Sequence, residues 1–157
     1  MSSAEDTDRA TGAHDILAGL PIAFDIEFLN VKAFASGTRI VNSRLQRLGL
    51  RVREYSVLAV ACGEVGATQR QLAGMLELDP SQIVALVDAL ERTGLVRRDI
   101  DPADRRSRLV RATPEGRRLF DRAREVAGAA EREALAMLTD AERDTLRALL
   151  RKIVFSG

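Results

Sequence analysis

The 157-residue chain has no tryptophan, one tyrosine, one histidine and one cysteine, and each shortage closes a class of function. A single cysteine, Cys62, cannot close a disulfide within the chain. A single histidine, His14, with no Cys/His cluster beside it, makes no metal site. No run of about 18 apolar residues is present to span a membrane. The opening stretch M-S-S-A-E-D-T-D-R-A-T-G-A-H-D lacks the basic start and apolar core of a secretory signal, so a cytoplasmic protein is expected. No Ser/His/Asp order, phosphate-cradling glycine loop or paired carboxylates with an evident cleft occurs, so neither an enzyme nor a cofactor is expected. An excess of one charge is missing too. With 24 basic against 23 acidic side chains, any affinity for a polyanion must come from local clustering.

Such clustering exists. Between Arg97 and Arg118 stand Arg97, Arg98, Arg105, Arg106, Arg108, Arg111, Arg117 and Arg118 against only Asp99, Asp101, Asp104 and Glu115. The same stretch carries two short apolar runs joined by an Asp101-Pro102-Ala103-Asp104 turn, which reads as a basic β-hairpin. Arg105 and Arg106 fall at or just after its tip, where an arginine can enter a narrow minor groove; a solvated charge run would show the same residues. Asp104 is expected to orient a neighbouring arginine through a charge-assisted hydrogen bond.

The rest of the chain reads as helices. After Pro21, apolar positions recur with helical spacing from Ile22 to Leu48, with Gly49 as the stop. Arg53 to Val65 reads as a second helix, with Tyr55, Leu58, Ala59, Cys62 and Val65 on one face and Gly63 and Gly66 closing it. Thr68 with Gln71 forms a capping box that starts a short helix through Leu76. Asp79, Pro80 and Gln82 repeat that logic for a helix to Thr93, stopped by Gly94. Two starts so close leave only a tight turn between two helices. Thr113-Pro114 opens a long helix striped by Leu119, Ala123, Val126, Ala127, Ala130, Ala134 and Met137. Thr139 with Glu142 opens a last one, with Leu146, Leu149, Leu150, Ile153 and Val154 inward.

The fold expected is mainly α: a winged helix-turn-helix with long N- and C-terminal dimerisation helices and a two- to three-stranded β-wing. It divides into a flexible tail at 1–20, a dimerisation helix at 21–50, a DNA-binding domain at 51–116 and dimerisation helices at 117–157. The first, fifth and sixth helices carry more apolar surface than a small core can cover, so a homodimer is expected. At ~100° per residue from Asp79, Ile83, Leu86, Val87 and Leu90 face the core, while Ser81, Val84, Ala85, Asp88 and Arg92 face outward. That outward face is small near its start, as suits insertion into a major groove. Gln82 at its edge can bond adenine bidentately, or serve only as a cap.

The stretches L-D-P-S-Q-I-V-A-L-V-D-A-L-E-R-T-G-L-V from Leu78, D-P-A-D-R-R from Asp101 and R-S-R-L-V-R-A-T-P-E-G from Arg106 resemble the MarR family of bacterial winged-helix regulators. The resemblance runs from about Phe28 to the C-terminus. It implies a homodimer with intertwined first and last helices, and a repressor whose grip on a palindromic operator changes when a small molecule or oxidant binds. By the same resemblance, the groove-facing positions are Ser81, Gln82, Val84 and Ala85, and the minor-groove arginine is Arg106. Phosphate contacts fall near Thr68, Gln69 and Arg70. An effector pocket is implied between the first two helices and the fifth. Phe28 and Tyr55 would line it for an aromatic or anionic effector, and Arg39 or Arg44 would receive a carboxylate. Many relatives carry a long polar residue where Ala85 stands, which shifts weight from base readout to shape readout. Asp88 is expected to pair with a basic residue. Peroxide-sensing relatives carry a cysteine near the start of the first helix, and none stands there here; Cys62 is expected to be buried and inert. The alternative is a winged-helix module that contacts proteins and has lost DNA binding.

Overall fold

The computed structural model describes residues 15–156. Most of the tail expected at 1–20, and His14 with it, lies outside the described residues; Asp15–Ala18 form a helical turn. The chain divides into two compact units, with the boundary between Gly37 and Thr38. In the first, a 3₁₀ turn at Pro21–Phe24 precedes helix α1, Ile26–Leu45, whose final residues belong to the second unit. The single helix expected from Ile22 therefore starts later. Asp25 is the reason: its backbone is extended, and its carboxylate accepts the Glu27 N–H at 3.0 Å, which makes it an N-cap.

The second unit continues through a 3₁₀ turn at Gln46–Leu48 to α2 (Val52–Ala61), β1 (Ala67–Thr68), α3 (Gln69–Leu76), α4 (Pro80–Arg92), β2 (Val96–Ile100), β3 (Arg108–Ala112), α5 (Pro114–Ala134) and α6 (Asp140–Phe155). Three threonines start helices by accepting an amide three residues on. The distances are 3.2 Å from Gln71 to Thr68, 3.0 Å from Gly116 to Thr113 and 3.3 Å from Glu142 to Thr139. Gly94, at φ +73°, ends α4 in the left-handed conformation that its lack of a Cβ allows.

Three strands form one antiparallel sheet in the order β1-β3-β2, with Ala67 opposite Val110 and Val96 opposite Ala112. The core lies where α2, α3 and α4 meet this sheet and α5. It is built from Leu45, Val57, Leu58, Leu72, Ile83, Val87, Val96 and Val110, all essentially without solvent contact.

Three expectations about helix faces change. α2 stops at Ala61, because the chain must turn there to lay Ala67 beside Val110; Val65 is left exposed. Its inner face is Val57, Leu58 and Ala61, with Tyr55 and Cys62 only half-buried at the edges. α5 buries Ala123 and Ala130 but ends at Ala134, leaving Met137 exposed beyond it. In α6 the side chains expected inward, Leu149, Leu150, Ile153 and Val154, are all exposed, and only Leu146 is half-buried. The winged-helix core is complete without them.

Candidate nucleic-acid interface

Helix α3 ends at Leu76, and Glu77 turns the chain at φ 51°, ψ 43°, a left-handed conformation that sequence patterning did not flag for a non-glycine residue. The Leu78 N–H then donates to the Ala73 carbonyl at 3.1 Å, and α4 begins at Pro80. The capping box expected from Asp79 and Gln82 does not form: the Asp79 side chain makes no cap bond. Pro80 has no N–H to satisfy, and its fixed φ already sets the first helical turn. The Gln82 amide is therefore not consumed as a cap. Ile83, Val87 and Leu90 are buried on the inner side, and Ser81, Val84 and Ala85 form an exposed, uncharged outer face.

At the start of α3, Arg70 is exposed. The Thr68 hydroxyl is engaged with Gln71, and the Gln69 side-chain nitrogen is shielded from solvent with no partner. A phosphate contact from Gln69 would require its side chain to rotate outward.

The arginine cluster divides by pairing. Arg97 bonds Asp99 at 2.9 Å, Arg111 lies 3.8 Å from the same carboxylate, and Arg118 pairs with Glu115. Arg117 donates to the Cys62 carbonyl at 2.7 Å, and Arg98 pairs with both Asp88 and Glu91. Asp88 thus has the basic partner expected of it. Among the described residues, Arg105 and Arg106 have no ion-pair partner, and both are exposed at the hairpin tip.

Asp104 does not orient an arginine side chain. It accepts the backbone N–H of Arg106 at 3.0 Å and the Ser107 hydroxyl at 2.8 Å, because the tight turn points those amide and hydroxyl donors inward at its carboxylate. Those two bonds hold its carboxyl below the usual aspartate range. The acid shapes the turn, and the Arg106 side chain is left free.

The effector candidates separate. Tyr55 stacks on Phe120 with ring centroids 5.5 Å apart, and burial pushes its hydroxyl pKa up. Phe28 lies in the first unit, half-buried, and Arg39 is exposed. Arg44 makes a forked pair with Glu133, the closest approach being 2.7 Å. That pair sits at a pocket of about 380 Å³ whose wall includes Arg47, Leu48, Val126 and Ala129. Glu133 has no signature in the sequence, since its contact with Arg44 spans 89 positions. Burial raises the Cys62 thiol pKa, which favours the protonated, unreactive form; the side chain is half-buried, less than expected. Among the described residues, no helix is long and apolar enough to cross a membrane.

The MarR family model matches residues 52–107, spanning α2 to the hairpin tip. A putative transcriptional regulatory protein for the hcr operon of Thauera aromatica is 31% identical over 148 residues, covering 94% of this chain and 87% of that protein. The chain belongs to the MarR family. CouR from Rhodococcus jostii RHA1, solved bound to p-coumaroyl-CoA, is 43% identical with a TM-score of 0.77, over 88% of this MarR-family chain and 98% of that one. A transcriptional repressor CouR solved on a 23-mer DNA duplex is 26% identical, with a TM-score of 0.77, over 87% of this chain and 96% of that one. The winged helix-turn-helix architecture expected from the sequence is the one observed.

Proposed function

We propose that this MarR-family regulator is a repressor. Two copies grip a palindromic operator, each with α4 in the major groove and Arg106 in the minor groove, and an aromatic, anionic small molecule releases them. The observation that carries the reading is the pairing pattern. Most of the basic cluster is tied to carboxylates or carbonyls of its own chain, which leaves Arg105 and Arg106 free at the hairpin tip, while α4 presents an uncluttered face at Ser81–Ala85. Ser81, Gln82, Val84 and Ala85 are read as the base-facing set, with Thr68, Gln69 and Arg70 near phosphate. The CouR solved on a DNA duplex supports DNA binding by a chain of this fold.

The test is binding of the purified protein to its own upstream intergenic DNA, since regulators of this kind commonly control themselves or a divergent neighbour. A protected palindrome with half-site centres roughly 10 base pairs apart, or a multiple of that, is expected from two-fold symmetry. A footprint over one asymmetric half-site would contradict it. No binding at any salt would favour the protein-interaction module.

The exposed apolar side chains of α6, Leu149, Ile153 and Val154 among them, support a dimer, with dimerisation segments at 21–50 and 117–157 flanking a DNA-binding part at 51–116. Sedimentation at micromolar concentration is expected to give twice the chain mass, and a monomer would defeat this.

For the effector, the Arg44–Glu133 pocket offers an apolar wall and two guanidinium groups. Phe28, Tyr55 and Arg39 remain further candidates. The CoA thioester bound by the Rhodococcus CouR is both aromatic and anionic, and supports that ligand class. Titrating p-coumaroyl-CoA and free p-coumarate into the operator complex is expected to release the DNA with at least one of them. Arg44→Ala is expected to keep DNA binding and lose that response.

A further inference from the structure

Helix α4 and strand β2 are joined by a turn at Gly94, and β2 runs back so that Arg98 lies level with Asp88 and Glu91. These two acids are three residues apart and share one helix face. The Arg98 guanidinium bonds both carboxylates, one through each terminal nitrogen, and the Arg98 backbone N–H donates to Glu91 Oε1 at 3.2 Å. Burial opposes its charge, but hydrogen bonds and the field of Asp88 and Glu91 raise its pKa, so the guanidinium keeps its charge. Its side chain is 23% exposed against 58% for Arg97, which sets it apart from arginines available to phosphate.

The placement matters mechanically. Arg98 pairs across the sheet with Val110, and Ile100–Arg108 is the last rung before the hairpin tip. On the other side, β1 holds β3 through only two residue pairs, ending at Thr68–Leu109. Arg98 stands one rung nearer the base, where Val110 also faces Ala67, so the bridge ties α4 to the base of the hairpin from which the tip projects. The base-facing residues are on α4 and Arg106 is on the tip, so the bridge sits between the two contacts.

We propose that Arg98 is a positioning residue that locks the recognition helix to the wing, so that major- and minor-groove contacts form as one rigid unit. This rests on the DNA-binding reading above. Two contacts on a rigid body reinforce one another, because making the first places the second at high effective concentration. With the bridge cut, the hairpin loses its side-chain tie to α4, the tip beyond the Thr68–Leu109 rung moves independently of that helix, and Arg106 engages on its own weaker terms. The bridge also sets a positive charge against Asp88, an exposed acid of α4.

A double-mutant cycle on operator DNA tests this. Arg106→Ala is expected to weaken binding by roughly 10-fold or more in the wild-type background and by less than about 3-fold in the Arg98→Ala background. Arg98→Lys is expected to behave like Arg98→Ala, since a single ammonium keeps the charge but does not fork across two carboxylates. If Arg98→Ala lowers the thermal midpoint while the Arg106→Ala loss stays the same in both backgrounds, Arg98 is merely structural and the proposal falls. Full recovery in Arg98→Lys overturns the bridge as the cause. Should Arg98→Ala not fold, Asp88→Asn with Glu91→Gln cuts the same bridge from the helix side and carries the same cycle. Failure of the wild-type protein to bind any operator appears before a variant is made; it sinks the DNA-binding reading, and this proposal with it.

Discussion

Gly116→Ala is expected to destabilise the protein by about 3 kcal/mol, at the upper end of overpacking costs. A Cβ built on Gly116 would lie 1.9 Å from the Leu95 carbonyl oxygen, 2.9 Å from the Leu95 carbonyl carbon and 3.3 Å from Leu58 Cδ1. The nearest of these atoms are backbone and cannot rotate away. Leu95 is held as well, since its carbonyl accepts the Thr113 N–H at 3.0 Å and its N–H donates to the Leu90 carbonyl at 2.9 Å. One carbonyl thus ties the start of β2 to the start of α5, and a methyl group at Gly116 pries the two apart. Helix propensity alone would favour alanine by about 1 kcal/mol, so the clash decides the sign. Gly128 in the same helix is the control. Its added Cβ meets nothing closer than 3.7 Å, and Gly128→Ala is expected to stabilise by about 0.5–1 kcal/mol. Urea unfolding of the two variants reads the difference. A Gly116→Ala protein within about 0.5 kcal/mol of wild type would mean that α5 and β2 do not meet as described.

Arg106→Ala is expected to cost about 1–3 kcal/mol of operator affinity and to lower the salt slope by roughly one unit, with similar loss on most sequences. A minor-groove arginine reads potential and groove width more than base identity. The structure makes the substitution clean: Asp104 holds the turn through the Arg106 backbone N–H and the Ser107 hydroxyl, neither of which the change removes. Gln82→Ala is expected to act mainly at one base position. Because Asp79 and Gln82 form no capping box, it should leave thermal stability close to wild type. Both variants, on a panel of single-base operator changes at two salt concentrations, decide the division of labour. Equal loss on every operator for both would sink it, and no loss for Arg106→Ala would remove the wing from the mechanism.

What the sequence by itself determined is what short-range chemistry controls. The boxes at Thr68/Gln71 and Thr139/Glu142, the stop at Gly94 and the turn at Asp101–Asp104 depend on groups within about four residues of each other, so their side chains announce them. The inner face of α4 was legible for the same reason, since one helical period sorts Ile83, Val87 and Leu90 from Ser81 and Ala85. Where two local devices compete, spacing misled: Asp79 looked like a capping side chain, but Pro80 already does the work of starting α4. Only the tertiary structure decided which arginines are free. Arg98, Arg111 and Arg117 sit in the same dense cluster as Arg105 and Arg106, yet chain reversal at Gly94 brings α4 carboxylates to Arg98, strand pairing brings Asp99 to Arg111, packing against the end of α2 brings the Cys62 carbonyl to Arg117, and the tip receives none. The Arg44–Glu133 pair, 89 positions apart, and the outward turn of Leu149, Ile153 and Val154 belong to the same class. A side chain's partner across such a separation is set by how whole elements pack, and no window of neighbouring residues contains that information.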